Sequence, residues 1–491
     1  MIEKVKHKGL ALALLATAQF MVILDATIVN VALPAIQKSL GFTSASDLQW
    51  IVTAYALVFG GFLLLGGRLA DLFGRRRMLL IGTTIFAIAS LLGGLAQGST
   101  ELIVFRAIQG LGGALLSPAA LSLVLTIFKE GPERNRALGI WSMVAGGGGA
   151  VGLVLGGLLT QYVDWRWTFF INVPIGIAVL LLAPRFVPAS LPSAKQKLDI
   201  AGAFTITGSL MAAVYALAKV PEFGWTGANT IWMFVASAVL MAAFIVNERL
   251  VKQPLIDLSI FKRRSVTGGT LLNILQPAAM FSMFFYLSIY LQSLLHYTPT
   301  ETGIANVPFT ITVIVVAGLL SRRVAKMNTK PFLVAAPLLV AGGLLYLSRL
   351  PLSSNYWIDL LPGIIVMAAG MAVSFVLVTV TATSGVTHKE SGLVSGLLNT
   401  AQQIGGALGL AVLSVISTQA TNDKMAAAHG NPAALPEALV HGFQQGFRAA
   451  VIFALAASVV ALVVLKSKKP NVSINGERED EAEALAAIPG A

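Results

Sequence analysis

The sequence predicts an all-helical integral membrane protein with fourteen spanning helices and both termini in the cytoplasm. Three observations carry that reading. Only 11% of the 491 residues are charged and 56% are hydrophobic, with a mean hydropathy of +0.80, whereas soluble domains carry about 25% charged residues. Apolar runs of roughly 18 to 25 residues recur along the chain, each able to cross a hydrocarbon core of about 30 Å as a helix; only helices or closed barrels satisfy the backbone in lipid. The basic residues, finally, are concentrated in every second loop.

In order, the spans are 9–34, 49–67, 79–98, 102–127, 136–162, 168–185, 199–219, 229–247, 266–295, 302–321, 331–349, 358–381, 393–419 and 443–465. The first is too long for the core of a cleaved signal peptide and has no evident small-residue cleavage site, so it reads as a spanning helix. An even number of spans puts both termini on one side. That side holds 27 Lys and Arg, including Arg75, Arg76 and Arg77 after the second span and Lys262, Arg263 and Arg264 before the ninth. The other side holds 5: Lys38, Arg166, Lys219, Arg349 and Lys424. A missed helix would scramble this alternation, and the positive-inside rule places the basic side in the cytoplasm. Topology thus explains the net charge of +12 without a nucleic-acid partner. With no cysteine in the chain, disulfides and thiolate metal sites are excluded.

A weak internal repeat orders these spans. Gly67-Arg-Leu-Ala-Asp-Leu-Phe-Gly-Arg75 after the second helix has an echo in Gly318-Leu-Leu-Ser-Arg-Arg-Val-Ala-Lys326 after the tenth, and Gly139, Ser142 and Gly152 match Gly396, Asn399 and Gly409 at one offset. The expected organisation is a six-helix bundle over 1–185, two inserted linker helices with their loops over 186–265, a second six-helix bundle over 266–466 and a cytoplasmic tail over 467–491. The tail is rich in acids and reads as a solvated end without evident chemistry.

Ionisable groups at bilayer depth are costly and therefore informative. Of 22 acids, Asp25 alone falls well inside a span; among the bases Arg106 lies inside the fourth helix and Arg448 near the start of the last. Withdrawal from water favours the neutral form of a carboxylic acid, which suits a group that takes up and releases a proton. The alternative is that Asp25 only pairs with Arg106 or caps an irregular stretch of helix. Arg106, Gln109, Gly110, Gly113 and Ser117 recur at helical spacing as an inward stripe. On the fifth helix Gly149, Gly152 and Gly156 serve either close packing or a gating hinge. Asn273, Gln276, Met280 and Phe284 on the ninth helix, and Asn399, Gln402 and Gln403 on the thirteenth, form stripes that suit a broad amphipathic ligand or ordinary helix packing. Asn30 and Tyr55 join them as pocket candidates. The basic loop with Gly67, Asp71, Gly74, Arg75 and Arg76 reads as a gate motif or as a solvated loop that satisfies the charge rule.

These residues resemble a known family. Gly67-Arg-Leu-Ala-Asp-Leu-Phe-Gly-Arg-Arg-Arg77 is similar to the loop signature of the major facilitator superfamily, and Leu102-Ile-Val-Phe-Arg106-Ala-Ile-Gln109-Gly110-Leu-Gly-Gly-Ala114 to its fourth-helix signature. Leu24-Asp25-Ala-Thr-Ile-Val-Asn30-Val-Ala-Leu-Pro34 and Trp165-Arg-Trp-Thr-Phe-Phe-Ile-Asn-Val-Pro-Ile-Gly176 resemble motifs of its fourteen-helix drug/proton antiporter branch. The resemblance implies a two-bundle fold with alternating access, export of lipophilic and often cationic drugs, and proton uptake in exchange, in the inner membrane of a bacterium. It implies that Asp25 is the coupling acid, that Arg106 assists proton transfer, and that Asp71 with Arg75 and Arg76 latches a cytoplasmic gate. No cofactor is implied, since the proton gradient drives transport, and no Gly-Lys-Ser/Thr phosphate loop is present; the chain is expected to act as a monomer. It departs from the antiporter pattern at Gly152-Leu153-Val-Leu-Gly156-Gly157, where the branch places Pro after a Gly, and Gln402 and Gln403 stand without an acid, which predicts poor handling of divalent organic cations.

Three other readings stand beside this one. Export of an endogenous lipid, siderophore or metabolite fits the same residues. A membrane-embedded enzyme would need a nucleophile or metal cluster at depth, but His7, His296, His388, His429 and His441 lie in loops or at helix ends; a sensor would need a signalling domain.

Overall fold

The computed structural model describes residues 7–42, 45–128, 132–189, 199–321, 328–383, 388–429 and 431–465. The acidic tail and the end of the Gly318–Lys326 echo lie outside them. Among the described residues every regular element is helical. The fourteen long helices are α1 Lys8–Leu40, α2 Trp50–Phe73, α3 Arg75–Leu95, α4 Ser99–Ile127, α5 Pro132–Tyr162, α6 Trp167–Phe186, α7 Ile200–Phe223, α8 Ala228–Leu250, α9 Arg264–Ser293, α10 Pro299–Leu320, α11 Thr329–Leu347, α12 Tyr356–Ala382, α13 His388–Ala427 and α14 Leu435–Val463. Among the described residues 13 helices are long and apolar enough to cross a membrane; the remaining long helix, α5, has 31 residues.

Each expected span is thus a helix, but several helices outrun the apolar run that marks them. α13 reaches Ala427 and α14 begins at Leu435, which turns much of the expected 419–442 loop into helix and leaves Arg448 well inside α14. Hydropathy finds the stretch that sits in hydrocarbon, whereas helix formation continues through polar residues until the hydrogen-bond ladder meets a stop. Two spans are interrupted: α6 at Ile171 and α10 at Asn306. Gly74 joins α2 to α3 at φ +97, a left-handed conformation in which a Cβ would be strained.

The packing is repetitive. In the first half α1 packs on α4, α5 and α6, α4 on α2 and α3, and α3 on α6. In the second half α9 packs on α12, α13 and α14, α12 on α10 and α11, and α11 on α14, so each pairing recurs eight helices later. The halves meet where α2 crosses α13, α5 crosses α10 and α1 crosses α9. α7 packs on α2 and α13 beside that seam and carries α8, whose apolar stretch is only 11% buried. Such a face, with Trp232 and Val239 exposed, is what lipid covers. At the end of the molecule that carries Leu40, Tyr162 and Ser293, α5 and α10 touch backbone to backbone. A Cβ at Gly157 would lie 2.5 Å from Pro299 O and one at Gly303 2.3 Å from Leu153 O. Gln292 Nε2 donates to Val31 O at 2.9 Å across the same end.

Candidate functional site

Inside the first half, four side chains from three helices gather around one carboxylate. Asp25 sits midway along α1 and is fully buried, as is Arg106 of α4. Arg106 Nη1 donates to Asp25 Oδ2 at 2.5 Å. Asp25 Oδ1 accepts from Gln109 Nε2 at 2.7 Å and from Asn172 Nδ2 at 2.9 Å. Both amides also donate to Ser90 Oγ of α3, at 3.1 and 3.0 Å, and Ser90 Oγ in turn donates to Phe169 O at 2.8 Å. Helical spacing explains the α4 contribution: Arg106 and Gln109 are one turn apart and also bond each other, Nη1 to Oε1, at 2.7 Å. Asn172 arrives through the break in α6, where the chain re-enters helix at Asn172 itself.

Arg106 is held on two further sides. Its Nε donates to Ile51 O of α2 at 3.0 Å, and its guanidinium lies 4.3 Å from the Tyr55 ring centroid and 5.8 Å from that of Phe169. A desolvated guanidinium over an aromatic face gains about 2 kcal/mol. The planar fork thus ties Asp25 on α1 to the backbone of α2, the helix that crosses α13. Chemically, the arrangement can keep a lone carboxylate charged in a dry interior, and adding one proton to it would break the tightest contact in the network.

The structure therefore brings Asp25, Arg106, Gln109 and Tyr55 into one cluster. The other pocket candidates are dispersed. Asn30 is buried and donates back to Ala26 O of its own helix at 3.0 Å. On α9, Gln276 is buried, Asn273 is half-buried with Nδ2 donating to Leu398 O at 3.4 Å, and Met280 and Phe284 are half-buried, Phe284 with its ring edge-on to Phe309 at 4.9 Å. On α13, Asn399 is exposed while Gln402 and Gln403 are half-buried, and Gln403 Cβ stands 2.8 Å from where a Cβ of Gly60 on α2 would be. Gly152 and Gly156 bring α5 against α1: added Cβ atoms would meet Thr27 Oγ1 at 2.0 Å and Ile28 O at 2.5 Å, whereas at Gly149 the nearest atom is 3.9 Å away. That geometry makes the first two packing residues.

At the other end of the half, Asp71 and Arg75 pair at 3.1 Å across the Gly74 junction. Arg75 also reaches Thr126 Oγ1 of α4, and Arg76 Nη1 donates to Pro184 O and Val187 O at 3.2 and 3.0 Å. Gly67 has only an ordinary contact, 3.8 Å to Pro118. The loop motif thus staples α2 and α3 to α4 and α6.

Comparison with known proteins decides the family. The model of the Major Facilitator Superfamily matches residues 15–410. The chain belongs to the Major Facilitator Superfamily. It is 39% identical over 462 residues to the puromycin resistance protein pur8 of Streptomyces alboniger, covering 93% of this chain and 91% of that one. It is 37% identical to the cephamycin export protein CmcT of Amycolatopsis lactamdurans, covering 92% of each. Among solved structures, a bacterial homolog of the human lysosomal transporter Spinster superposes with a TM-score of 0.64 at 16% identity, covering 94% of this chain and 97% of that chain, a likeness of fold. This superfamily member is thus a multi-pass membrane transporter whose relatives are bacterial antibiotic resistance and export proteins.

Sequence reasoning missed Ser90 and Asn172. Asn172 lay in a quoted motif, and its signal was a lone amide at the mouth of an apolar run; Ser90 gave no signal, because a serine in a span commonly bonds its own helix. Asn172→Leu, close in volume, is expected to lower stability by about 1–3 kcal/mol by stripping a donor from a buried carboxylate. Thermal unfolding of the detergent-purified protein checks this, and an unchanged midpoint would show the amide to be idle.

Proposed function

We propose that the protein is a proton-coupled efflux antiporter of a bacterial inner membrane that exports lipophilic, often cationic, compounds by alternating access, with Asp25 as the coupling acid. The observation that carries this reading is the Asp25 cluster itself: one fully buried carboxylate neutralised by one fully buried guanidinium, in a chain whose relatives include a puromycin resistance protein and a cephamycin export protein. An acid held this way has two discrete states. Ionised, it grips Arg106; protonated, it releases a cation that is bonded to Ile51 O and stacked on Tyr55. Those two residues belong to α2, whose Gly60 packs on Gln403 of α13, so the charge on Asp25 bears on the seam between the halves. A proton moving inward supplies about 2.3 kcal/mol per 100 mV, enough to sustain a drug gradient without a bound cofactor. The chain is read as a working monomer.

The cephamycin exporter among the relatives, named for a single compound, favours a narrower second reading in which one endogenous metabolite is the cargo. Reconstitution separates these. In liposomes containing a pH dye, lipophilic cations such as ethidium are expected to drive proton flux through the wild type and none through Asp25→Asn. Flux indifferent to Asp25 would sink the coupling role, and cargo movement without proton flux would leave a uniporter.

A further inference from the structure

Two acids at the ends of the inserted helix pair are buried together. Asp199 caps α7, accepting from Gly202 N at 2.8 Å, and is 3% exposed; Glu248, in the last turn of α8, is 4% exposed. Their carboxyls converge over Gly202, where a Cβ would stand 2.5 Å from Asp199 Oδ2 and 2.8 Å from Glu248 Oε1. Asn247 Nδ2 donates to both Asp199 oxygens, at 2.7 and 2.8 Å, and Glu248 Oε2 accepts from Ile256 N at 3.0 Å. Glu248 Oε1 has no donor and is sealed from solvent. Among the described residues, the cation that faces the pair is Arg68 of α2. Its guanidinium donates to Gln253 O at 2.9 Å and to Pro254 O. Arg249 and Lys252 are exposed.

The charges do not close. Two adjacent carboxylates face one guanidinium whose donors serve backbone carbonyls, and an ionised Glu248 Oε1 would be an uncompensated anion beside a second anion. A proton on that oxygen turns it into a donor aimed at Asp199 and completes the network. We propose that Asp199 and Glu248 share one proton, forming a second protonation site in the α7–α8 pair, and that this proton holds the 251–257 segment against α2. Leu255 and Ile256 of that segment wall a crevice of about 130 Å³ whose other sides include Gly61 of α2, Ile206 of α7, Ile274 of α9 and Thr400 of α13. The latch therefore closes one side of the seam between the halves. The docked segment binds one more proton than the released one, so docking is favoured as pH falls and lost as it rises.

Because the chain has no cysteine, spin labels on F73C and K252C report the distance from the end of α2 to the segment in liposomes. The wild type is expected to shift from a short to a long distance as pH rises, with the docked-to-released ratio changing by at most about tenfold per pH unit, as one proton requires. E248Q, whose amide donates permanently while its carbonyl still accepts from Ile256 N, is expected to stay docked at every pH. It should also lose an infrared carbonyl band of protonated carboxylic acid that D25N retains. G202A should undock the segment with both acids present. A wild-type distance that ignores pH, or an acid band unchanged in E248Q, overturns the proposal. Should E248Q fold poorly, D199N leaves Glu248 without an acidic neighbour and must flatten the pH profile in the same assay. D25N run in parallel keeps this test apart from that of proton coupling.

Discussion

Arg106→Met is expected to destabilise the folded protein by about 3–5 kcal/mol, the usual cost of leaving one member of a buried ion pair alone. The side chain it removes is almost wholly buried and makes three polar contacts, with Asp25, Gln109 and Ile51 O. Methionine fills much of the volume but offers no charge, so Asp25 keeps only the amides of Gln109 and Asn172. The double variant Asp25→Asn/Arg106→Met removes both charges and is expected to recover most of the loss. Thermal unfolding of both single variants and the double variant closes a mutant cycle, and a coupling below about 1 kcal/mol would show that the pair contributes little. Arg106→Lys should not rescue, because one ammonium cannot reproduce the planar fork that meets Asp25 and Ile51 O together.

Gly157→Val and Gly303→Val are expected to abolish transport while leaving each half folded. Both glycines lie where α5 and α10 touch, with added Cβ atoms 2.5 Å from Pro299 O and 2.3 Å from Leu153 O. The obstructing atoms are backbone, so neither can turn aside as a side chain would. The helices must separate at this end, which populates the state in which it is open. Single cysteines placed near Gln161 and Thr300, which bond across the same contact at 3.2 Å, should become reactive to a water-soluble maleimide in the variants and stay protected in the wild type. Equal labelling would mean that the seam does not govern access.

The largest features of the fold were legible because bilayer physics writes them into composition. Fourteen apolar runs became fourteen helices, since no other backbone arrangement of such runs satisfies its hydrogen bonds in lipid. Helix ends were less legible: α13 and α14 continue past their apolar runs because polar residues such as Asn422 and Glu437 are as helical as their neighbours once outside the hydrocarbon. Asp25 and Arg106 were found by their cost at depth, and their meeting was one of two readings left open. Asp199 and Glu248 give no comparable signal, because each stands at the end of its apolar run, yet they are nearly as buried as Asp25.

By itself, then, the sequence determined the solvent, the number of crossings and the two residues whose burial needs an explanation, because transfer free energies depend on residue type and run length. Only the tertiary structure decided which polar groups serve those residues, that Gly152 and Gly156 pack while Gly149 has room, and that Gln109 supports an acid rather than lining an open wall. Those outcomes depend on how closely helices distant in the chain approach one another, such as those that carry Asp25 and Asn172, 147 residues apart. No local pattern encodes such distances.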